Sequence, residues 1–163
     1  MKKLKLFCAI VTALLAVSLT GCKPNADEED FTKDSIGEWM IGDWDIASES
    51  TMKMSIQGMP EYDTNDTETI KGTINIEGIE DDSIVTMSYE DGSSDEITFK
   101  EFVEENLIPS EETLDEVVSA GGEVSYSCKV NSAKNKITVK MSASVSQDGV
   151  EMSMSVNAVM TKK

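Results

Sequence analysis

The sequence predicts a mainly β fold: an antiparallel meander forming a small barrel or half-barrel, with a helical insertion after the fourth strand. Three observations carry this. Long stretches alternate apolar and polar residues with period two, the mark of half-buried strands. Turn residues separate those stretches at hairpin spacing, most plainly Asp148-Gly149. Helical spacing appears in a single region, at about residues 100–120. About seven strands in hairpin order favour a sheet that curls toward closure and so hides its edges; a two-sheet sandwich is the alternative.

The first strand runs from about Asp43 to Ile56, with Trp44, Ile46, Ser48, Ser50, Met52, Met54 and Ile56 on one face. An acidic loop from Gln57 to Glu68 follows. Strands are expected near Thr69–Glu77, Ser83–Glu90 and Asp95–Phe99. Pairing Ile76 with Val85 sets Ile74 opposite Met87 and lays Tyr89 over Gly72. The helical region comes next. Phe102, Val103 and Leu107 share a face, Pro109 interrupts, and Ser110 caps a second helix whose stripe is Leu114, Val117 and Val118, ended by Gly121-Gly122. Val124, Tyr126, Cys128 and Val130 then point one way along a strand. An Asp-Gly hairpin joins the last two strands and sets Val145 opposite Met152, Ala143 opposite Met154 and Met141 opposite Val156. A slip of one residue would turn every apolar side chain outward, so pattern and register check each other. Pairing Cys128 with Val139 keeps that parity and puts the thiol inside.

Ahead of this domain lies a leader. Lys2, Lys3 and Lys5 give a basic start, and an apolar run from Leu6 to Leu19 follows. The layout is that of an export signal, and the run is short of the ~20 residues a spanning helix needs. Leu19-Thr20-Gly21-Cys22 resembles the lipobox of bacterial lipoproteins. That resemblance implies cleavage between Gly21 and Cys22 and a diacylglycerol thioether on Cys22, often with a further acyl group on the new amino terminus. Several acyl chains anchor a protein stably where one does not. The expected organisation is therefore a signal peptide at 1–21, a lipidated Cys and disordered acidic tether at 22–33, and one β-rich domain at 34–163. A short helical turn is expected from Asp34 to Ile41. The expected location is the extracytoplasmic side of the cell envelope. Lys23, where an aspartate would signal retention, favours the outer membrane in a bacterium that has one.

Charge narrows the partners. The chain of 163 residues has 14 basic and 31 acidic residues, no Arg and no His. Losing the leader removes three lysines and no acid, which leaves 11 basic against 31 acidic residues, about −20. Such a surface repels nucleic acid and anionic headgroups. The membrane is met through the lipid on Cys22, and a protein partner would be basic. Once Cys8 has left and Cys22 is acylated, Cys128 is the remaining thiol, so no intrachain disulfide forms.

Met40-Ile41-Gly42-Asp43-Trp44-Asp45-Ile46 opens the first strand. It resembles the Gly-x-Trp opening of lipocalins and of lipocalin-like domains. That family implies a short helical turn before the motif, a Trp that plugs the closed end of an up-and-down barrel, and an interior that binds a small apolar ligand without covalent chemistry. The chain departs from the pattern in three ways. It has no Arg to pack on the Trp, so a Lys must serve or the contact is lost; it has about seven strands where a lipocalin has eight; and its helices come early. Gly37-Glu38-Trp39 is a second copy of the motif.

Enzyme chemistry finds no residues to work with. Without His, a Ser-His-Asp or Cys-His arrangement is impossible, and zinc sites lack their usual ligands. No phosphate-binding glycine loop occurs. Three acidic clusters (Asp63, Asp66 and Glu68; Glu80, Asp81 and Asp82; Asp91, Asp95 and Glu96) could be weighed for calcium, but none has EF-hand spacing. No cofactor or metal is expected. Methionine is the unusual residue: ten occur, and Met52, Met54, Met87, Met141, Met152, Met154 and Met160 fall on predicted inner faces. Flexible core filler, an adaptable lining for an apolar ligand, and a soft site for Cu(I) are the three readings. The expected function is a non-enzymatic, membrane-anchored lipoprotein that binds a small apolar ligand, lined by Trp44, Met52, Met54, Met87, Tyr126, Met141, Met152 and Met154. The alternative is an envelope interaction or structural module with a filled core, whose acidic loops meet a basic partner.

Overall fold

A computed structural model of the protein describes residues 27–108, 122–147 and 149–163. The strands are β1 (Glu28–Asp30), β2 (Gly42–Ile56), β3 (Thr64–Ile76), β4 (Ile84–Tyr89), β5 (Ser94–Thr98), β6 (Glu123–Asn131), β7 (Lys136–Gln147) and β8 (Val150–Lys162). All eight form one antiparallel sheet in the order β1-β6-β7-β8-β2-β3-β4-β5. The first long strand pairs with the last, as in a barrel. Among the described residues no ladder joins β5 to β6, so the sheet is open there and is a half-barrel, with β1 on the other side of β6 from β7.

The registers are those the alternation dictates. Val145 faces Met152, Ala143 faces Met154, and Met141 faces Val156. Cys128 pairs with Val139, and Ile76 with Val85. β2 is the axis of the sheet, paired along nearly its whole length with β3 on one side and β8 on the other. Its Gly42 has φ +119°, which an L side chain rarely adopts, so the Gly of the Gly-x-Trp motif is a backbone requirement.

Two stretches differ from the sequence expectation. Glu28–Asp30, read as tether, is a strand on β6, held by the Phe31 N–H donating to the Cys128 carbonyl (2.8 Å) and by Phe31 in the core. Residues 22–26 and the leader lie outside the described residues. The acidic loop is also shorter than expected: after a 3-10 turn at Pro60–Tyr62, β3 begins at Thr64, because Thr64–Glu68 pair with Ser50–Met54. The turn expected at Asp34–Ile41 is a pair of 3-10 turns, Lys33–Ser35 and Glu38–Met40.

After β5 comes a single turn of α-helix, α1 (Phe99–Phe102), running into a π-helical turn at Val103–Leu107. Thr98 and Glu101 start it with a capping box. The Thr98 hydroxyl accepts from the Glu101 N–H (3.2 Å), and the Glu101 carboxylate accepts from the Thr98 N–H (2.9 Å). The Thr98 N–H and then the Thr98 hydroxyl, both donating to that carboxylate, hold the Glu101 carboxyl below the usual carboxylate range. The expected helix over 111–118 lies outside the described residues.

Burial is concentrated at one end. Trp44, Ile74, Ile76, Val85, Phe99, Phe102, Leu107, Ile137 and Met40 form a dry cluster there. Each such side chain contributes roughly 1.5–3 kcal/mol relative to exposure. Gly72 lies beneath Tyr89 in this region, and a Cβ on it would collide with the Ser88 carbonyl oxygen. Gly72→Ala is therefore expected to cost at least about 2 kcal/mol in urea unfolding; a loss under about 0.5 kcal/mol would show that β3 and β4 do not approach so closely.

Candidate functional site

Trp44 closes the packed end. It is fully buried, and its indole N–H donates to the Met40 carbonyl (2.8 Å), so the one polar atom of the ring is satisfied without water. Trp39 meets it edge-on at 6.0 Å between centroids, and Phe31 meets Trp39 in the same way at 6.3 Å. Lys162 covers the ring of Trp44. Its ammonium lies 5.7 Å from the Trp44 ring centroid and donates to the Trp39 carbonyl oxygen. The β2–β8 pairing sets Trp44 beside Lys162. Met40 and the Thr98–Glu101 box went unused in the sequence. The box was legible as Thr-x-x-Glu ahead of an apolar pair.

The inner face runs from this plug toward the far end of β2. Met87 and Met141 are buried, and Tyr126 is half-buried with its hydroxyl donating to the Leu107 carbonyl oxygen. With Ile46, Phe102 and Leu107 these three residues line an apolar cavity of ≈ 60 Å³. That is room for about two waters, against ~300 Å³ for a usual ligand site. The expected roomy interior is therefore not enclosed at this end, because Phe99, Phe102 and Leu107 fill the space.

Beyond Tyr89, β4 ends, and among the described residues the earlier part of β3 has no neighbour on that side. β2, β3, β7 and β8 continue past it. Their inner face carries Ser48, Ser50, Met52 and Met54 on β2, and Met152, Met154 and Val156 on β8. Exposure rises along it: Met154 is 4% exposed, Met52 and Met54 are half-buried, and Met152 is 37% exposed. Ser48 is 4% exposed, and its hydroxyl has no hydrogen-bond partner, a group that ordinarily finds one. The structure thus divides the eight expected lining residues. Trp44 and Met87 belong to the packed end, Met52, Met54, Met152 and Met154 to the far end, and Met141 and Tyr126 lie between. Hollows of ≈ 300 and ≈ 630 Å³ also occupy the far end. They are open, and outward-facing Lys53, Ser144 and Ser153 line them, with Met54 and Met152 bordering the larger.

The acidic clusters form no cation cage. Asp63 accepts from the Ile56 N–H (3.3 Å), whereas Asp66 and Glu68 stand on β3. Among the described residues no three His, Cys, Asp or Glu side chains are arranged to hold a metal ion. No described helix is long and apolar enough to cross a membrane. The lipidation and cleavage residues Gly21 and Cys22 lie outside the described residues.

No protein-family model matches the chain, and no curated protein matches it. Among solved structures it is similar to the crystal structure of Ail, the attachment invasion locus protein of Yersinia pestis. That likeness has 8% identity and a TM-score of 0.27, and covers 75% of this chain and 99% of that one. So slight a likeness carries no argument about fold or function.

Cys128 sits inside, as the strand parity requires, and burial pushes its thiol up to about 12 from an ordinary 9.0. Burial, and then the neighbouring Cys128, push Tyr126 up as well. Below the unfolded pKa both states keep the thiol proton. Above it the unfolded chain ionises first, so this contribution is lost as pH rises from 9.0 toward about 12. Stability of the native chain is expected to fall more steeply over that window than stability of Cys128→Val. Equal slopes in urea unfolding across the window would place the thiol in water.

Proposed function

We propose that this chain is a lipid-anchored lipoprotein on the extracytoplasmic side of the cell envelope, which takes a small apolar ligand on the Met-rich inner face at the open end of its half-barrel. The anchor is the diacylglycerol thioether on Cys22, and the outer membrane is the favoured site where the organism has one. One observation carries the binding reading. The methionines of the inner face do not stop where the packed end stops; they continue to Met52, Met54 and Met152, which are only partly covered. Methionine suits such a face, because its three rotatable bonds and polarisable sulfur adapt to guests of irregular shape. The unpartnered Ser48 hydroxyl, deeper on the same face, offers a guest one hydrogen bond. The role is binding without catalysis. The shifted Glu101, Tyr126 and Cys128 each owe their shift to a cap or to burial.

A second reading has its own support. The ≈ 60 Å³ cavity is what a filled domain would leave, and such a domain would act as an interaction module through its acidic loops. Native mass spectrometry separates the two. Residues 23–163, exported by the source bacterium and gently purified, are expected to carry a reproducible mass excess that disappears on denaturation. Replacing both Met54 and Met152 by Lys should remove that excess. A clean apo mass from the native protein would overturn the carrier reading in favour of the interaction module.

The anchor has a separate test. Cells fed labelled palmitate are expected to label the native chain and not Cys22→Ala, whose export signal should also stay uncleaved. Equal labelling of both would remove the lipoprotein assignment.

A further inference from the structure

The two Met-x-Met pairs of this chain, Met52-Lys53-Met54 and Met152-Ser153-Met154, lie a hundred positions apart in sequence, and the fold brings them face to face. In the β2–β8 ladder Met52 pairs with Met154, and Met54 with Met152. All four belong to the inner face. Cross-strand neighbours of this kind have Cβ atoms ~4.5–5.5 Å apart. Residues two apart on one strand are separated by about 6.7 Å. Four thioethers therefore crowd into a patch one long side chain wide. Met154 forms its floor and Met152 its most exposed corner.

From this geometry we propose that Met52, Met54, Met152 and Met154 bind one soft monovalent metal ion, Cu(I). Thioether sulfur is a soft, neutral donor that prefers Cu(I) over zinc, calcium and magnesium, so the ligand type selects the ion. The patch is reachable from solvent through Met152 and half-covered by its neighbours. Four neutral ligands leave the bound ion with its full positive charge, and the surroundings suit that charge. Asp66 pairs with Met52 on its other side, and Glu68 pairs with Ser50 one step along. The closest other sulfur on this face by register is Met141, which pairs with Val156, whereas Cys128 is in the ladder row of Ala158 and Val139. The four methionines are the ones that pair directly with one another across a ladder. The inference is independent of any apolar guest on the same face.

The test uses the full-length chain in non-ionic detergent without oxygen, with Cu(I) offered as its bicinchoninate complex. The protein is expected to withdraw about one equivalent, with a Kd below about 1 µM. Met54→Leu combined with Met152→Leu keeps the volume and apolar character of the patch and removes two sulfurs. It should weaken Cu(I) binding by at least about tenfold, the loss that even the outer-shell partners of a metal site give when mutated. Met87→Leu combined with Met160→Leu, at the packed end, should leave binding unchanged. If the far-end pair disturbs the circular dichroism spectrum, Met152→Leu alone, at the exposed corner, is expected to lower the affinity with the fold intact. No withdrawal of Cu(I), or equal withdrawal by native and far-end variants, would overturn the proposal. Because leucine preserves the apolar face, the far-end pair should still carry any apolar guest. Loss of copper with retention of guest, or the reverse, therefore tells the two readings apart.

Discussion

The structure depends on the double pairing of β2 and on the tryptophan at its start. β2 is the one strand through which the two halves of the meander meet, β3-β4-β5 on one side and β8-β7-β6 on the other. Its register to both neighbours places Trp44 beside Ile74 and beside Lys162. The Trp44 indole binds the Met40 carbonyl, and Lys162 lies over the ring while holding the Trp39 carbonyl. The turns before β2, the start of β2 and the end of β8 are thereby fixed to one another. A shift of either ladder by one residue would turn the apolar side chains of the shifted strand away from those of β2 and would part Trp44 from Ile74 or Lys162, so the packed end defines the register of the sheet.

From that end the inner face changes character in one direction. Phe99, Phe102 and Leu107 fill the space next to Trp44, and the fit there leaves little room. Farther along, β4 and the aromatic side chains stop while β2, β3, β7 and β8 go on. Large branched residues give way to methionine, and burial falls from Met154 to Met152. A face that keeps three partly exposed methionines after its cover ends needs a reason, since half-exposed methionine contributes little to stability. Binding supplies one, and the acidic residues of β3 set the sign of the surroundings.

What could be read in the sequence followed from how strongly each segment repeats its own signal. β7 and β8 alternate over more than ten residues around an Asp-Gly turn, so both the strands and their register were legible. Gly72 beneath Tyr89, and Cys128 inside, followed from the same parity. β1 was not legible: Glu-Glu-Asp has poor strand propensity, and what holds it lies outside those three residues, in Phe31 packed on Trp39 and in backbone bonds of Asp27 and Phe31 to the β6 side. The early start of β3 was hidden for a related reason, since Thr64–Glu68 is polar on both faces and owes its pairing to β2. The gap between β5 and β6 is a tertiary outcome with no local mark. For the site, the facing of inner-side methionines was predictable from alternation, but their division into a filled and an open end was not, because it turns on where β4 stops.

Amide hydrogen exchange along β2 tests this division most directly. The account predicts a gradient, with slow exchange from Trp44 to Ser48 and much faster exchange from Met52 to Ile56, where the inner face has lost its cover. Uniform slow exchange to Ile56 would contradict it: the far end would then be sealed, and neither an apolar guest nor a metal ion would have an open face to reach.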